Sequence, residues 1–256
     1  MHIVVLSGYN VMIVAEGVMR SLSFLPRRMA AAAARAAIGV FVLAAGAGIA
    51  SIRAGLMAGL ALVARATGRT YDVIRALLLV GVVMLMHNPL LLAYDPGFQL
   101  SFVATLGLIL GAPIFARALS FVRSGFLREL LASTLAAQVA VLPLLLYQTG
   151  LFSLVSLPAN VLVLPFVPLA MALSAGAGLA GMLVPAVAPV LGIPAHLLLM
   201  LIIAIAEISA ALPLSSVSVP QFPFAIVVLA YTALAYAVWR ESKKKAAPQG
   251  AANLPA

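Results

Sequence analysis

The chain has 256 residues, of which 65% are hydrophobic and only 8% charged, and its formal net charge is +9. Its mean hydropathy of +1.21 lies well outside the composition of soluble domains. These values exclude a soluble globular protein and indicate one that crosses a membrane many times. Cysteine is absent, which excludes disulfides, thiolate metal sites and cysteine nucleophiles.

Apolar segments long enough to cross a bilayer follow one another along the chain, so we expect an all-α fold, a polytopic transmembrane helical bundle of about nine to ten segments. Some segments should be short, broken or re-entrant, because the third is short and prolines and glycines interrupt the seventh and eighth. The predicted segments are 3–24, 30–50, 51–64, 74–93, 97–115, 129–148, 153–173, 175–192, 194–212 and 222–239.

Basic residues gather between these segments, and the positive-inside rule places such clusters in the cytoplasm. Two crossings separate each of the first three clusters from the next, whereas five lie before the last. We therefore expect segment 153–173 or 175–192 not to span; the alternative is an external C-terminal tail. The clusters are Arg27 with Arg28; Arg65, Arg69 and Arg75; Arg117, Arg123 and Arg128; and Arg240 with Lys243, Lys244 and Lys245.

The domain organisation predicted from this pattern is one transmembrane domain over residues 1–240. The residues that follow, 241–256, end in the small and polar run AAPQGAANLPA. Such a composition cannot bury enough apolar surface to fold, so we expect a disordered tail, cytoplasmic or external.

The stretch NPLLLAYDPGFQLSF places polar residues at the start of an apolar helix. Asp95 can cap that helix and Pro96 suits its first position, which explains both residues without a function. Gln99 and Ser101 follow within the first two turns, where an amide and a hydroxyl need partners in protein or water. Further along, Gly107 and Gly111 have the spacing that permits close helix packing.

Charged groups inside membrane segments cost about 2.5 to 3.5 kcal/mol each on insertion scales, so each one requires a reason. Glu16 can pair with Arg20 or serve a pore. Arg53 can extend outward to the interface or face an anion in a central path. Glu207, which has no basic residue within a helical turn, should face a cavity, carry a proton or pair with another helix.

Two uncharged polar residues also fall within predicted segments. Gln138 interrupts an apolar run, and Asn160 lies in the proline-broken stretch SLPANVLVLPFVP. Asn160 can bond the backbone groups that the prolines free, or it can line a passage; both interpretations remain open.

Motifs of enzymes and motors are missing from the sequence. His2, His87 and His196 are scattered without carboxylates at ligand spacing, so we expect no metal site. There is no phosphate-binding loop of the G-x-x-x-x-G-K-[ST] type and no G-x-S-x-G or H-E-x-x-H motif. We therefore expect no cofactor and no enzymatic activity, and any transport must draw its energy from elsewhere.

Three runs, in this order, resemble the polytopic core of ComEC-type competence proteins over roughly residues 2 to 215. They are ASIRAGLMAGLALVARATGRTYD, HNPLLLAYDPGFQLSFVATLGLI and AQVAVLPLLLYQTGLFSLVSLPANVLVLPFVPLAM. The first segment, HIVVLSGYNV, is similar to the family's opening H-x-x-x-x-S-G-x-H pattern at His2, Ser7 and Gly8. It departs from that pattern at Asn10, where a titratable group is replaced by an amide.

This resemblance implies a bacterial inner-membrane channel that passes single-stranded DNA into the cytoplasm during natural transformation. It also implies a cytoplasmic ATP-driven translocase and a periplasmic DNA receptor as partners, with a homo-oligomer as a further expectation. Longer members of the family carry an OB-type domain before this core and a metallo-β-lactamase-like nuclease domain after it. We expect neither here, and we expect the chain to be abbreviated at its N-terminus.

A DNA path calls for small polar groups and few phosphate clamps, because strong clamps would hold the strand. The candidates for the pore or DNA path are Ser7, Asn10, Arg53, Gln99, Ser101, Gln138, Asn160 and Glu207. The alternative function is a proton-coupled secondary transporter of a small solute with Glu207 as its proton site. A third alternative is a non-conducting membrane scaffold.

Overall fold

A computed structural model describes residues 8–21, Phe24, 26–212 and 217–246. Within these residues the chain is almost entirely helical, as predicted. The helices are α1 (Gly8–Ser21), α2 (Arg27–Ala44), α3 (Ile49–Ala66), α4 (Val73–His87), α5 (Leu91–Tyr94), α6 (Pro96–Ala118), α7 (Gly125–Thr149), α8 (Ser156–Val163), α9 (Phe166–Leu183), α10 (Ala188–Ala211) and α11 (Phe224–Ala246). Two short strands, β1 (Leu151–Phe152) and β2 (Val217–Ser218), pair antiparallel.

The chain divides into two compact units. The first unit comprises 1–101 and 162–206, and the second comprises 102–161 and 207–256. Each unit has helices long and apolar enough to cross a membrane, and the described residues contain six such helices in all. The protein is therefore a multi-pass membrane protein.

The first unit is built on a tight cluster of α1, α2 and α3. Its buried centre is made largely of small side chains, which let helix backbones approach closely. The α2–α3 connection turns through Gly46 and Ala47, both with positive φ, at +81° and +49°. The cluster's buried residues are Val11, Ala15, Ala34, Ile38, Ala54, Ala58 and Leu62.

The second unit pairs α7 with α11 and brings α6 against α7 through glycines. A methyl group added to Gly107 would lie 2.9 Å from the carbonyl oxygen of Ala136, and one added to Gly111 would lie 3.1 Å from the Ala136 side chain. The predicted packing role of these glycines is thereby confirmed. On α11, the Tyr231 hydroxyl donates to the Ala140 carbonyl at 3.0 Å.

The predicted segments 51–64, 153–173 and 175–192 need correction. The third segment is not short, because α3 runs from Ile49 to Ala66 over 18 residues. The stretch from 153 to 192 holds one long helix, α9, preceded by α8 with only eight residues. At 1.5 Å per residue α8 is about 12 Å long, too short to cross a core of about 30 Å. The prolines of VLPFVP end α8 and start α9 near Pro165.

This division changes the count before the last basic cluster. Four helices long enough to span, rather than five, lie between Arg128 and Arg240, an even number, as the positive-inside rule requires of these two clusters. The C-terminal ends of α6 and α11 also lie at the same end of the second unit, because Arg117 lines one cavity with Val238 and Glu241. By the positive-inside rule we expect this end to be cytoplasmic. Helix α11 continues to Ala246 and so takes up the first residues of the tail predicted at 241–256, whereas residues 247–256 lie outside the described part of the chain.

Candidate functional site

The polar stretch before α6 forms a compact turn held by side chains. Asn88 Oδ1 accepts from the N–H of Leu90 at 3.1 Å, and Asp95 Oδ1 accepts from the N–H of Phe98 at 2.6 Å. The predicted cap at Asp95 is confirmed, and Pro96 is the first residue of α6. Gln99 Nε2 donates to the carbonyls of Leu92 and Ala93 at 2.8 and 3.1 Å, so its amide closes this turn.

Ser101 lies one turn into α6 and is buried. Its hydroxyl donates to the Phe98 carbonyl at 3.0 Å, a bond within its own helix. Gln99 and Ser101 thus both satisfy backbone carbonyls near the start of α6. Their proposed place on a DNA path stays a prediction.

Arg53 is a buried charged group in the interior of α3, with 7% of its surface exposed. This burial contradicts the prediction that it extends outward to the interface. Its guanidinium donates to the sulfur of Met57 at 3.6 Å, and the Tyr71 hydroxyl donates to the Met57 carbonyl at 3.3 Å. Tyr71 lies in the α3–α4 connection, where burial raises the pKa of its phenol above the ordinary 10.0.

The second unit contains a polar contact between α7 and α8. Gln138 Nε2 donates to Ser156 Oγ at 3.1 Å, and Ser156 Oγ in turn donates to the Ser153 carbonyl at 2.9 Å. Ser156 is the first residue of α8, and Ser153 lies in the irregular segment that precedes it. This chain of bonds holds the start of α8 to the side of α7.

The position of this contact along α7 fixes its depth. Gln138 lies about 20 Å from the start of α7 and about 17 Å from its end, at 1.5 Å per residue. Helical side chains tilt toward the N-terminus, so the Gln138 amide lies no nearer the end of α7 than its own Cα. After leaving α7 at Gly150 the chain therefore turns back into the span before α8 begins. Segment 153–163 is therefore the part of the chain that we expect to be re-entrant.

Asn160 lies one helical turn after Ser156 on α8, on the same face of that helix. Thr134 lies one turn before Gln138 on α7; it is buried, and its hydroxyl donates to the Leu130 carbonyl at 2.8 Å. Of the predicted residues, the structure places Gln138 in the α7–α8 contact, and the role of Asn160 on a path stays a prediction. The sequence pattern did not single out Ser156, although the serines of SLVSLPAN precede the proline that marks the broken segment.

The remaining acidic candidates lie elsewhere. Glu16 pairs with Arg65 of α3 at 3.3 Å rather than with Arg20 of its own helix, which corrects the predicted local pair. Glu207 is exposed on α10, and no hydrogen bond or ion pair of its carboxylate is found within the described residues. Ser7 and the side chain of Asn10 lie outside the described part of the chain, together with most of the opening motif.

Comparison with known proteins places the chain in a family. The Competence protein family matches residues 1–244, nearly the whole chain, so the chain belongs to that family. It is a multi-pass protein of the inner membrane.

Among curated proteins, the chain is 33% identical over 171 residues to ComE operon protein 3 of Bacillus subtilis (strain 168). That alignment covers 64% of this chain and 21% of the relative, so the chain spans about a fifth of the relative's length. No solved structure matches the chain.

Proposed function

We propose that this chain is the membrane part of a channel for DNA uptake, passing single-stranded DNA inward across the inner membrane. The observation that carries the proposal is the hydrogen bond of Gln138 to Ser156, which holds irregular backbone within the span of α7. Irregular backbone at membrane depth occurs where protein buries it or a water-filled cavity satisfies it. Membership of the Competence protein family supports DNA as the substance that such a cavity would pass.

The distribution of basic residues suits movement of a DNA strand through the protein better than tight binding of that strand. No Lys or Arg occurs between Arg128 and Arg240, the stretch that contains the re-entrant segment. The first-turn N–H groups of α8 and its positive dipole end favour an anion near Ser156 without forming a salt bridge. A strand of phosphates would thus be attracted weakly at this depth and could move on.

Of the predicted path residues, Gln138 and Asn160 have the strongest support, and Ser156 joins them. Gln99 already donates to two carbonyls, and Glu207 is exposed on an apolar helix. Within the first unit, Arg53 remains a candidate functional residue, because a buried guanidinium in a membrane helix usually has a functional reason. A translocase and a DNA receptor remain proposed partners, and the proposed role is non-enzymatic.

The test is uptake of labelled DNA in a transformable strain that lacks its own protein of this family and carries this chain. Gln138→Leu and Asn160→Leu should each lower internalised single-stranded DNA about tenfold, since loss of about 1.4 kcal/mol of favourable interaction changes a rate by that factor. Gln221→Leu makes the same change in an exposed loop and should leave uptake unchanged.

Uptake that stays at the wild-type level in both the Gln138→Leu and the Asn160→Leu variant, with each protein present in the membrane, would refute the proposed DNA channel. Proton-coupled solute flux in vesicles that Glu207→Gln abolishes would instead identify the transporter. Absence of both activities, with normal membrane insertion, would favour a scaffold.

A further inference from the structure

A wedge-shaped cavity of about 480 Å³ separates α6 from α7 near the basic end of the second unit. Its opening carries two charged residues, Arg128 and Glu129, together with Gly125 at the start of α7. Its walls are apolar along most of their length and are formed by Leu108, Ile109, Ala112, Pro113, Ala116 and Ala132. One cavity thus combines a charged mouth with an apolar interior.

The sequence explains why the two helices separate here. The backbones meet at Gly111 and Ala136, where an added methyl group would lie 3.1 Å from the Ala136 side chain. From that contact to Arg128, α7 continues for about 12 Å at 1.5 Å per residue. Pro113, which lies inside α6, has no N–H for the Ile109 carbonyl and favours a bend in the helix. The cavity therefore opens toward the α6–α7 connection and ends at the level of Leu108 and Ile109, just past Gly111.

Aromatic residues of α11 mark the level of the membrane surface at this end. Tyr236 and Trp239 are exposed, and Lys243 Nζ lies 4.2 Å from the centroid of the Trp239 ring. Exposed Trp and Tyr beside a cation are typical of the headgroup region. Arg117 lies at this level, because it lines a second cavity with Glu241 of α11. The mouth of the wedge therefore lies at headgroup depth and its apex lies among acyl chains.

The charged residues at the mouth are Arg128 and Glu129, and Arg123 in the adjoining connection adds a second positive charge. The first-turn N–H groups of α7 and the positive end of its dipole also point to this end. A phosphate is thus favoured at the mouth, whereas the apolar walls give a sugar or base no hydrogen-bonding partner.

We propose that the wedge binds one anionic phospholipid, with its phosphate beside Arg128 and the first turn of α7. One acyl chain lies along Leu108 and Ala112 toward the contact of Gly111 with Ala136. Basic pockets between membrane helices on the cytoplasmic side recognise anionic headgroups through this combination of charge and apolar wall. The site is separate from the proposed DNA path and does not depend on it.

The experiment measures lipid retention on the purified full chain by native mass spectrometry, with phosphatidylglycerol and phosphatidylethanolamine offered in equal amounts. The wild type should retain phosphatidylglycerol preferentially. Arg128→Gln should lower that retention about fivefold, the effect of one lost surface charge. Arg69→Gln removes the same charge from an exposed connection of the first unit and should retain the lipid as the wild type does.

A second variant tests the apolar part of the site. Ala116→Leu fills the wedge near its mouth and should lower retention of both lipids, while the melting temperature in detergent confirms that the chain is folded. Equal retention of the two lipids by the wild type would overturn the proposal, as would equal losses in Arg128→Gln and Arg69→Gln. Displacement of phosphatidylglycerol by an oligothymidylate from the wild type but not from Arg128→Gln would assign the mouth to nucleic acid instead. DNA uptake can fail or succeed independently of each of these results.

Discussion

The α1–α3 cluster and the α7–α8 contact place polar backbone within a membrane in two different ways. In the first, close packing of small side chains excludes solvent and lipid, and 33% of the membrane-length window of α3 is buried inside the protein. In the second, the chain that follows the end of α7 returns beside the middle of that helix, and side-chain hydrogen bonds from Gln138 and Ser156 hold it there. The window of α7 is only 17% buried.

The difference indicates which property each region controls. Packing energy grows with buried contact, so the cluster should dominate the stability of the first unit. A few hydrogen bonds within the span contribute less, but they position irregular backbone where a passage needs it. Substitutions in the cluster should therefore change stability most, and substitutions at the α7–α8 contact should change function more than stability.

The largest effect is expected from overpacking the cluster. Ala34 is fully buried on α2, whereas Ala36 on the same helix is exposed. Ala34→Leu should lower the free energy of unfolding by about 1 to 3 kcal/mol, because no space exists for the added carbons. Ala36→Leu should leave it nearly unchanged. Thermal melting of the two purified variants in detergent compares them, and equal melting temperatures would contradict a tightly packed cluster.

An intermediate effect is expected at the α7–α8 contact. A double-mutant cycle of Gln138→Leu and Ser156→Ala should give a coupling energy of about 0.6 kcal/mol and at most about 1.7, as for other hydrogen bonds between membrane helices. The hydroxyl of Thr134 bonds within its own helix, so Thr134→Val should show no coupling to Ser156→Ala. A coupling energy of zero in the first cycle would show that the bond between Gln138 and Ser156 does not hold the start of α8.

Loss of the hydrogen bond from the Tyr71 hydroxyl to α3 should lower the stability by a comparable amount, and this effect should depend on pH. Tyr71→Phe should cost about 0.5 to 1.5 kcal/mol at neutral pH, the value of one hydrogen bond. Burial raises the pKa of Tyr71, so the folded chain holds the phenolic proton more tightly than the unfolded chain. The resulting stability is present below pH 10.0 and is lost as pH rises through the raised pKa.

Denaturation of the wild type at pH 9 and above pH 10 measures this loss. In Tyr71→Phe the same pH step should have a smaller effect. Tyr94→Phe, which removes the phenolic hydroxyl of an exposed tyrosine, provides the matched control. A Tyr71→Phe profile identical to the wild type would contradict burial of the phenol.

The smallest effect belongs to the ion pair of Glu16 and Arg65 at the edge of the cluster. Both side chains are about half exposed, at 41% and 50%, so solvent screens their attraction. A double-mutant cycle with Glu16→Gln and Arg65→Gln should give about 0.2 to 1 kcal/mol, decreasing with salt. The cycle of Glu16→Gln with Arg20→Gln should give no coupling; a larger value there would restore the local helical pair.

The sequence was sufficient for features set by composition or local chemistry. Hydropathy predicted the multi-pass helical class, and Asp95 and Pro96 predicted the start of α6 because capping depends on neighbouring residues alone. The spacing of Gly107 and Gly111 predicted a close helix contact because both glycines lie on one face of α6, although it did not identify α7 as the partner. The basic clusters also favoured an even number of spans between Arg128 and Arg240, and four helices of that stretch are long enough to cross.

Features that depend on contacts between distant residues were not accessible in the same way. Glu16 has Arg20 nearby in sequence, but its partner Arg65 comes from another helix 49 residues away. Apolar residues are equally abundant before and after Pro165, so hydropathy could not divide 153–192 into a short helix and a long one. Ser156 could be recognised as a candidate only from its hydrogen bond with Gln138, because a lone serine in an apolar run usually bonds its own backbone.

The pairing of β1 with β2 brings Phe152 opposite Val217 across the intervening stretch of chain. The chain leaves β1, passes through α8, α9 and α10, and returns to the same point at β2. Because the entropy cost of closing a loop grows only slowly with its length, a pairing of this size can hold the ends of a long loop together. The two ends of this loop are thus fixed to each other, however the helices inside it move.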